Sequence, residues 1–370
     1  MRAPVQRYGW LFALIAAAIA IILDLQWLNT LHYRVPLADF FVYYRAAQIG
    51  EAHGWAAMYE PSTFLPAVTT AVGRPLPYLN PPELAWLVLP LSWLPYSLAA
   101  WVWGLLLTLA LGVTWLVAAP GTGRLRIVHL LAAVTLLPVF VSVLIGQVSL
   151  IIVAVVAIAW WLIRHEHPWL AGAVLALTFL KPQLAFLVPP ALLLAGYWRV
   201  LVSWLAATAV LATVALMAVG TSVFGNVMAS LGRVHQIPGP VQMSLERQLP
   251  WPLATAGVLL VLGISVVVIW RRGNTGPTIP IAVGLLASVL LSPYVNFYDL
   301  CAPLLAAWLI LRTSPPGWQH VSIAAGYLPA FVAPIWPLLT LAGLCTVLVI
   351  PLMAPQAMRR EDLPVLRASA

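Results

Sequence analysis

Apolar residues fill this chain in blocks, and the longest, at 9–31, 98–119, 200–220 and 253–270, match the roughly 20 residues that carry a helix across a bilayer core. None shows the in-out alternation of a membrane strand, so the spans read as helices and not as a closed barrel. Shorter blocks at 127–145, 148–163, 169–180 and 184–197 pair into two hairpins. Their polar tips are Gly146-Gln147 and Lys181-Pro182-Gln183. Polar backbone at membrane depth is tolerated only where it lines protein or a wet cavity, so the tips point to a cavity. Prolines inside apolar runs, such as Pro138, Pro189, Pro190, Pro303, Pro329 and Pro351, predict kinked or broken helices. From Asp39 to His53 the pattern turns amphipathic at helical spacing. Phe40, Tyr43, Tyr44, Ala47 and Gln48 alternate there with Arg45 and Glu51, as in a helix lying in the interface with Asp39 as its N-cap.

Polar breaks fall into two sets. The first lies at 121–126, 164–168, 271–277, 312–319 and the tail 355–370; the second at 35–82, 146–149, 181–183, 221–250, 293–299 and 334–337. If the sets alternate sides, the chain is one all-α transmembrane domain, 1–370, with about twelve membrane-crossing or re-entrant helices. Two long loops, about 32–82 and 221–250, then share a side.

Composition supports that class. Hydrophobic residues make up 63% of the chain and charged ones 8%, at a mean hydropathy of +0.98, against about a quarter charged in soluble domains. The net charge of +8 is spread over scattered arginines with no basic patch, which argues against nucleic acid. Cys301 and Cys345 lie in apolar runs and read as packing residues. No His, Cys or acidic string has metal-ligand spacing, and no phosphate-cradling glycine loop occurs. The N-terminal run lacks a small-residue cleavage site and reads as a retained first span.

Charge also sets the expected topology. The first set of breaks, with both termini and Arg199, holds twelve basic residues and three acids; the second holds six basic residues and seven acids, Asp24 and Asp299 included. The positive-inside rule places both termini in the cytoplasm and the Asp39 loop outside. Loops as long as the two outer ones are usually functional.

Within this frame few residues can carry chemistry. Asp39 reads either as a helix cap or as a partly desolvated carboxylate placed to take a proton from an attacking hydroxyl. Lys181 is the chain's single lysine and follows an apolar run. It reads as a snorkelling side chain or as a cation awaiting an anion such as phosphate. Gln147 either donates to the same ligand or bonds nearby backbone. "LLSPYVNFYDL" brings Tyr294, Asn296, Tyr298 and Asp299 together; Asp299 caps the following helix or pairs with an arginine. "PYLNPPELAW" carries Tyr78, Asn80 and Glu83, with Glu83 at an ordinary proline-led helix start. Arg233, His235, Glu246 and Arg247 decorate the second long loop or contact anionic headgroups or an acceptor. Trp93, Trp101, Trp103, Trp160, Trp161 and Trp198 read as interface-belt or packing residues.

Taken in order, "DFFVYYRAAQ", "YLNPPELAWLVLPLSWLP", "IGQVSLI", "AGAVLALTFLKPQ" and "LSPYVNFYDL" resemble glycosyltransferase family 87, over roughly residues 8–312. That resemblance implies a GT-C type membrane fold. It further implies inverting transfer of a sugar, typically mannose, from a polyprenyl-phosphate donor to a glycolipid or glycan acceptor at the outer face of a bacterial plasma membrane. Asp39 matches the catalytic aspartate and Lys181 a donor-phosphate ligand, with Arg45 or Arg247 as a second cation. Tyr43, Tyr44, Tyr78, Asn80, Gln147 and Gln183 are candidate substrate contacts. Tyr294, Asn296, Tyr298 and Asp299 join them. The chain departs from the family pattern at Asn296, where related sequences often have histidine, and at Ser149, which replaces a frequent asparagine. No cofactor, metal or nucleic-acid partner is expected. A carrier or flippase of lipid-linked sugars is the alternative, although no paired repeats are evident.

Overall fold

The computed structural model describes residues 34–236, 243–327, 329–330 and 337–353, with positions 18, 22 and 25 of the first apolar block. The expected first span at 9–31 with its Asp24, most of the break at 334–337 and the tail 355–370 lie outside the described residues. So do the side chains of Arg233 and His235. Among the described residues every regular element is helical.

The first long loop folds into α1 (Ala38–His53), α2 (Pro61–Val72) and α3 (Pro82–Ser92). Then come α4 (Tyr96–Ala118), α5 (Arg124–Val134), α6 (Leu137–Ile145), α7 (Ser149–Arg164), α8 (Pro168–Leu175) and α9 (Val188–Leu194). The second half holds α10 (Trp198–Val219), α11 (Val223–Gln236), α12 (Leu245–Gln248), α13 (Trp251–Arg272) and α14 (Thr278–Leu291). It ends with α15 (Cys301–Arg312), α16 (Gly317–Tyr327) and α17 (Pro337–Met353).

Helices α4, α10 and α13 are each long and apolar enough to cross a membrane; α5 and α6 pass the same test as a pair bent by 62°. Pro138 stands within the first two residues of α6, where its missing N–H costs nothing, so the bend falls just before it. The leg expected at 169–180 likewise breaks: α8 tightens into a 3-10 turn, Ala176–Leu180, and Lys181 leaves helical geometry ahead of Pro182. A residue before proline is pushed out of the α region, which fixes the break at the lysine.

Burial divides these helices. α10 exposes Val202, Leu205, Val210, Val214, Leu216 and Met217, a surface that suits lipid. By contrast α14 buries every residue from Ile279 to Leu290. It packs with α15 and α9 at the centre, and α15 reaches α7. Trp101, Trp93 and Trp198 are exposed, whereas Trp103 and Trp160 are buried in packing roles. Cys301 is buried and Cys345 half-buried, both as free thiols.

Helix α1 corrects the expectation of an interfacial amphipathic helix. Ala38, Phe40–Tyr44, Ala46, Ala47, Ile49 and Gly50 are all buried, which leaves no apolar stripe opposed to a wet face. It is covered by α2, α3 and α4. Up to Gly50 the helix is buried nearly all round, with Arg45 and Gln48 half-buried.

Candidate active site

Asp39 is not the cap of α1. Leu37 holds that position in the left-handed region (φ 50°), with no side-chain cap, and Asp39 stands in the first turn. Such a conformation is costly for leucine. The Tyr96 hydroxyl of α4 reaches the backbone at this point, donating to Pro36 O at 2.5 Å with Leu37 O at 3.2 Å. Freed from capping, the carboxyl of Asp39 points into the protein, beside Tyr43 one turn on. Phe40 stacks on Trp103 at 5.1 Å, and Tyr43 meets the same ring edge-on. Apolar surroundings penalise the anion and push the Asp39 carboxyl up to about 6, while a Gln147 hydrogen bond and the Lys181 charge pull the other way.

The "LIGQVSL" tip is clamped onto α1. Gly146 ends α6 at φ 79°, and a Cβ there would stand 2.6 Å from Phe40 Cβ, so glycine is required twice over. Trp103 Nε1 donates to Gly146 O at 2.8 Å, and Gln147 N to Ser142 O at 2.8 Å. Gln147 then sits buried against α1. Its Nε2 donates to Asp39 Oδ2, and its Oε1 accepts from the Tyr43 hydroxyl at 2.9 Å and from Lys181 Nζ at 2.8 Å.

Lys181 and Asp299 form a buried ion pair, 4% and 0% exposed. The ammonium donates to Asp299 Oδ1, Ser149 Oγ (2.9 Å) and Gln147 Oε1, which uses all three of its protons. Ser149 donates to Asp299 Oδ1 at 2.9 Å, and the Asn296 amide N–H to Oδ2 at 3.1 Å. Asp299 thus both closes a capping box with Asn296 and pairs with a cation. That cation is the lysine and not an arginine. The Tyr298 ring lies 5.2 Å from Nζ.

Asp39, Tyr43, Gln147, Lys181 and Asp299 therefore form one hydrogen-bonded set. Asn296 rims it, donating to the Tyr298 and Tyr294 hydroxyls at 2.6 and 3.3 Å. Other candidates stand apart. Tyr44 donates to Leu94 O and Tyr78 to Pro81 O, each at 2.8 Å, and Asn80 O accepts from Tyr59. These contacts seat the loop. Arg45 is half-buried on α1 and donates to Gln48 at 2.6 Å. Gln183 is half-buried in the turn after Lys181, outside the set. Arg247 lies exposed on α12, whose loop is tied to the 294–298 segment by Met243 N donating to Val295 O at 2.6 Å. A cavity of about 530 Å³ lies at the other end of α1, lined by His53, Trp55, Glu60 and Thr63. Ser149, a departure from the family pattern, joins the set through Lys181 and Asp299. Its one local signal is a hydroxyl two residues beyond Gln147.

The model of glycosyltransferase family 87 matches residues 78–293, more than half of the chain. The chain belongs to that family. Gln147, Ser149 and Lys181 lie within the matched segment, and Asp39 and Asp299 flank it. No curated protein and no solved structure matches the chain. This family 87 chain is therefore a membrane glycosyltransferase.

Proposed function

We propose that the protein transfers a sugar, mannose by family resemblance, from a polyprenyl-phosphate donor to a hydroxyl of a lipid-linked or glycan acceptor. In this reading a GT-C domain of about twelve crossings sits in a bacterial plasma membrane, with both termini cytoplasmic. Asp39 faces outward. The observation that carries it is the Asp39 carboxyl: Gln147 holds Oδ2, and Oδ1 has no protein partner among the described residues. That oxygen is thus left for an incoming hydroxyl.

The acceptor O–H gives its proton to Asp39 as its oxygen bonds the anomeric carbon. The carbon–oxygen bond to phosphate breaks on the opposite face, giving inversion, and polyprenyl phosphate leaves with the electron pair. Charge gathers on that phosphate, so a cation beside it lowers the barrier. Lys181 reaches phosphate only by giving up one of its protein acceptors. In this reading Arg247, on the loop tied beside Asn296, supplies that cation, a guanidinium being suited to a phosphate fork. Arg45 is the second candidate.

Purified protein given radiolabelled polyprenyl-phosphate mannose and a mixed lipid acceptor pool should transfer label. Asp39→Asn should cut the rate by about 10²–10⁴-fold, the usual worth of a general base. Undiminished transfer in that variant removes Asp39 from the chemistry, and movement of the donor between leaflets without transfer supports a flippase instead.

A further inference from the structure

We infer that Gln147 is a positioning residue for Asp39, held in register by the Lys181–Asp299 pair, and that this lysine serves the base and not the donor phosphate. The inference deepens the reading above and rests on Asp39 as the base. It begins with the amide. Oε1 of Gln147 receives two donors, Tyr43 and Lys181, and the ammonium has no lone pair with which to accept in return. The opposite flip would set an NH₂ against an ammonium and leave Oε1 facing a carboxylate, so the orientation is dictated. Nε2 is thereby fixed on Asp39 Oδ2.

The lysine is fixed in turn. Its three protons are spent on Gln147, Ser149 and Asp299, and Asp299 is itself anchored by Ser149 and by the Asn296 backbone. Every link donates in one direction, from Lys181 through Gln147 to Asp39. The Lys181 end of this network, buried and with all three ammonium protons bonded, is rigid. The charge of Lys181 therefore reaches Asp39 through one intervening amide. It favours the basic carboxylate without forming an ion pair that would quench it. Ionisable groups around the Asp39 carboxyl are Tyr43 on its own helix, Tyr96 of α4, Lys181, and Asp299 with Tyr294 ahead of α15.

The test follows the Asp39 carboxyl by infrared titration of the full-length protein in nanodiscs, its band assigned by loss in Asp39→Asn. Gln147→Leu and Lys181→Met should each raise the midpoint by about one pH unit, since each removes a charge-assisted link. Tyr43→Phe, which deletes one hydroxyl and perturbs folding least, should raise it by a few tenths. With polyprenyl-phosphate mannose as probe, Gln147→Leu should lower kcat about tenfold or more and leave the donor KM within about twofold. A midpoint unmoved in both Gln147→Leu and Tyr43→Phe overturns the inference. So does a tenfold rise in donor KM at unchanged kcat, which would make the amide a donor ligand. The titration needs no turnover. Failure of wild-type transfer would thus strike the proposed reaction, and an unmoved midpoint would strike the positioning role.

Discussion

Two buried carboxylates in this protein keep opposite company. Asp299 accepts from Lys181, Ser149 and the Asn296 backbone. Glu83, 7% exposed at the start of α3, has no hydrogen-bond partner from another residue on either oxygen among the described residues. Both sit in a helical first turn, so local structure does not separate them. The difference lies in what the rest of the chain delivers. A proline-broken tip brings a cation to Asp299 and a glycine-ended tip brings a hydroxyl, and among the described residues nothing comparable reaches Glu83. An organised charge in a membrane protein is a construction of several distant segments, whereas an unorganised one is a burden on stability.

The sharpest way to break this comparison is to remove Asp299. Asp299→Ala strands the Lys181 ammonium and should cost about 3–5 kcal/mol, read as a large fall in the melting temperature of purified protein. Lys181→Met combined with Asp299→Leu should recover most of that loss, because the pair is then deleted as a unit. If the double variant melts no higher than the single, the pair is not the origin of the cost.

Asp39 lies between the extremes, with one donor and one open oxygen, and its carboxyl is held up at about 6. A raised carboxylate pKa means the folded protein holds a proton that the unfolded chain has already lost. Between about 4 and 6, folding stability therefore falls as pH rises. Activity runs the other way. Transfer should lose tenfold per pH unit below about 6, and a limb near 4 instead would place the carboxyl in water.

Gly146→Ala tests the clamp that delivers Gln147. The left-handed backbone costs about 1–2 kcal/mol for a residue with a Cβ, and the collision with Phe40 should also displace Gln147 from Asp39. Lower stability should then come with reduced transfer. Glu83→Met completes the series with the smallest effect. Removing two unpartnered buried oxygens should raise stability by about 1 kcal/mol, and a loss would reveal a partner for Glu83.

How much of this was legible beforehand differs residue by residue. The blocks at 98–119, 200–220 and 253–270 became α4, α10 and α13 within a few residues, because apolar length is a local property. The tips were legible too, since Gly146 and Pro182 act on their own stretch of backbone. Of the two readings of Asp39, the helix cap failed. Capping propensity favoured the N-cap, but Leu37 stands there, with the Tyr96 hydroxyl on the carbonyls of Pro36 and Leu37, and the carboxylate is released. The interfacial reading of α1 failed because its wet-looking pattern of tyrosines and glutamine is buried by α2, α3 and α4.

By itself the sequence determined a helical membrane chain, a scarcity of charge that made Asp39, Lys181 and Asp299 conspicuous, and a family. Only the tertiary structure decided that these three, with Gln147 between them, are one connected set, and that Arg45, Tyr44 and Tyr78 are not in it. Hydropathy and turn chemistry act within a few residues of the chain. A polar group in a low-dielectric interior must find some partner, but which one depends on how segments more than a hundred residues apart pack together.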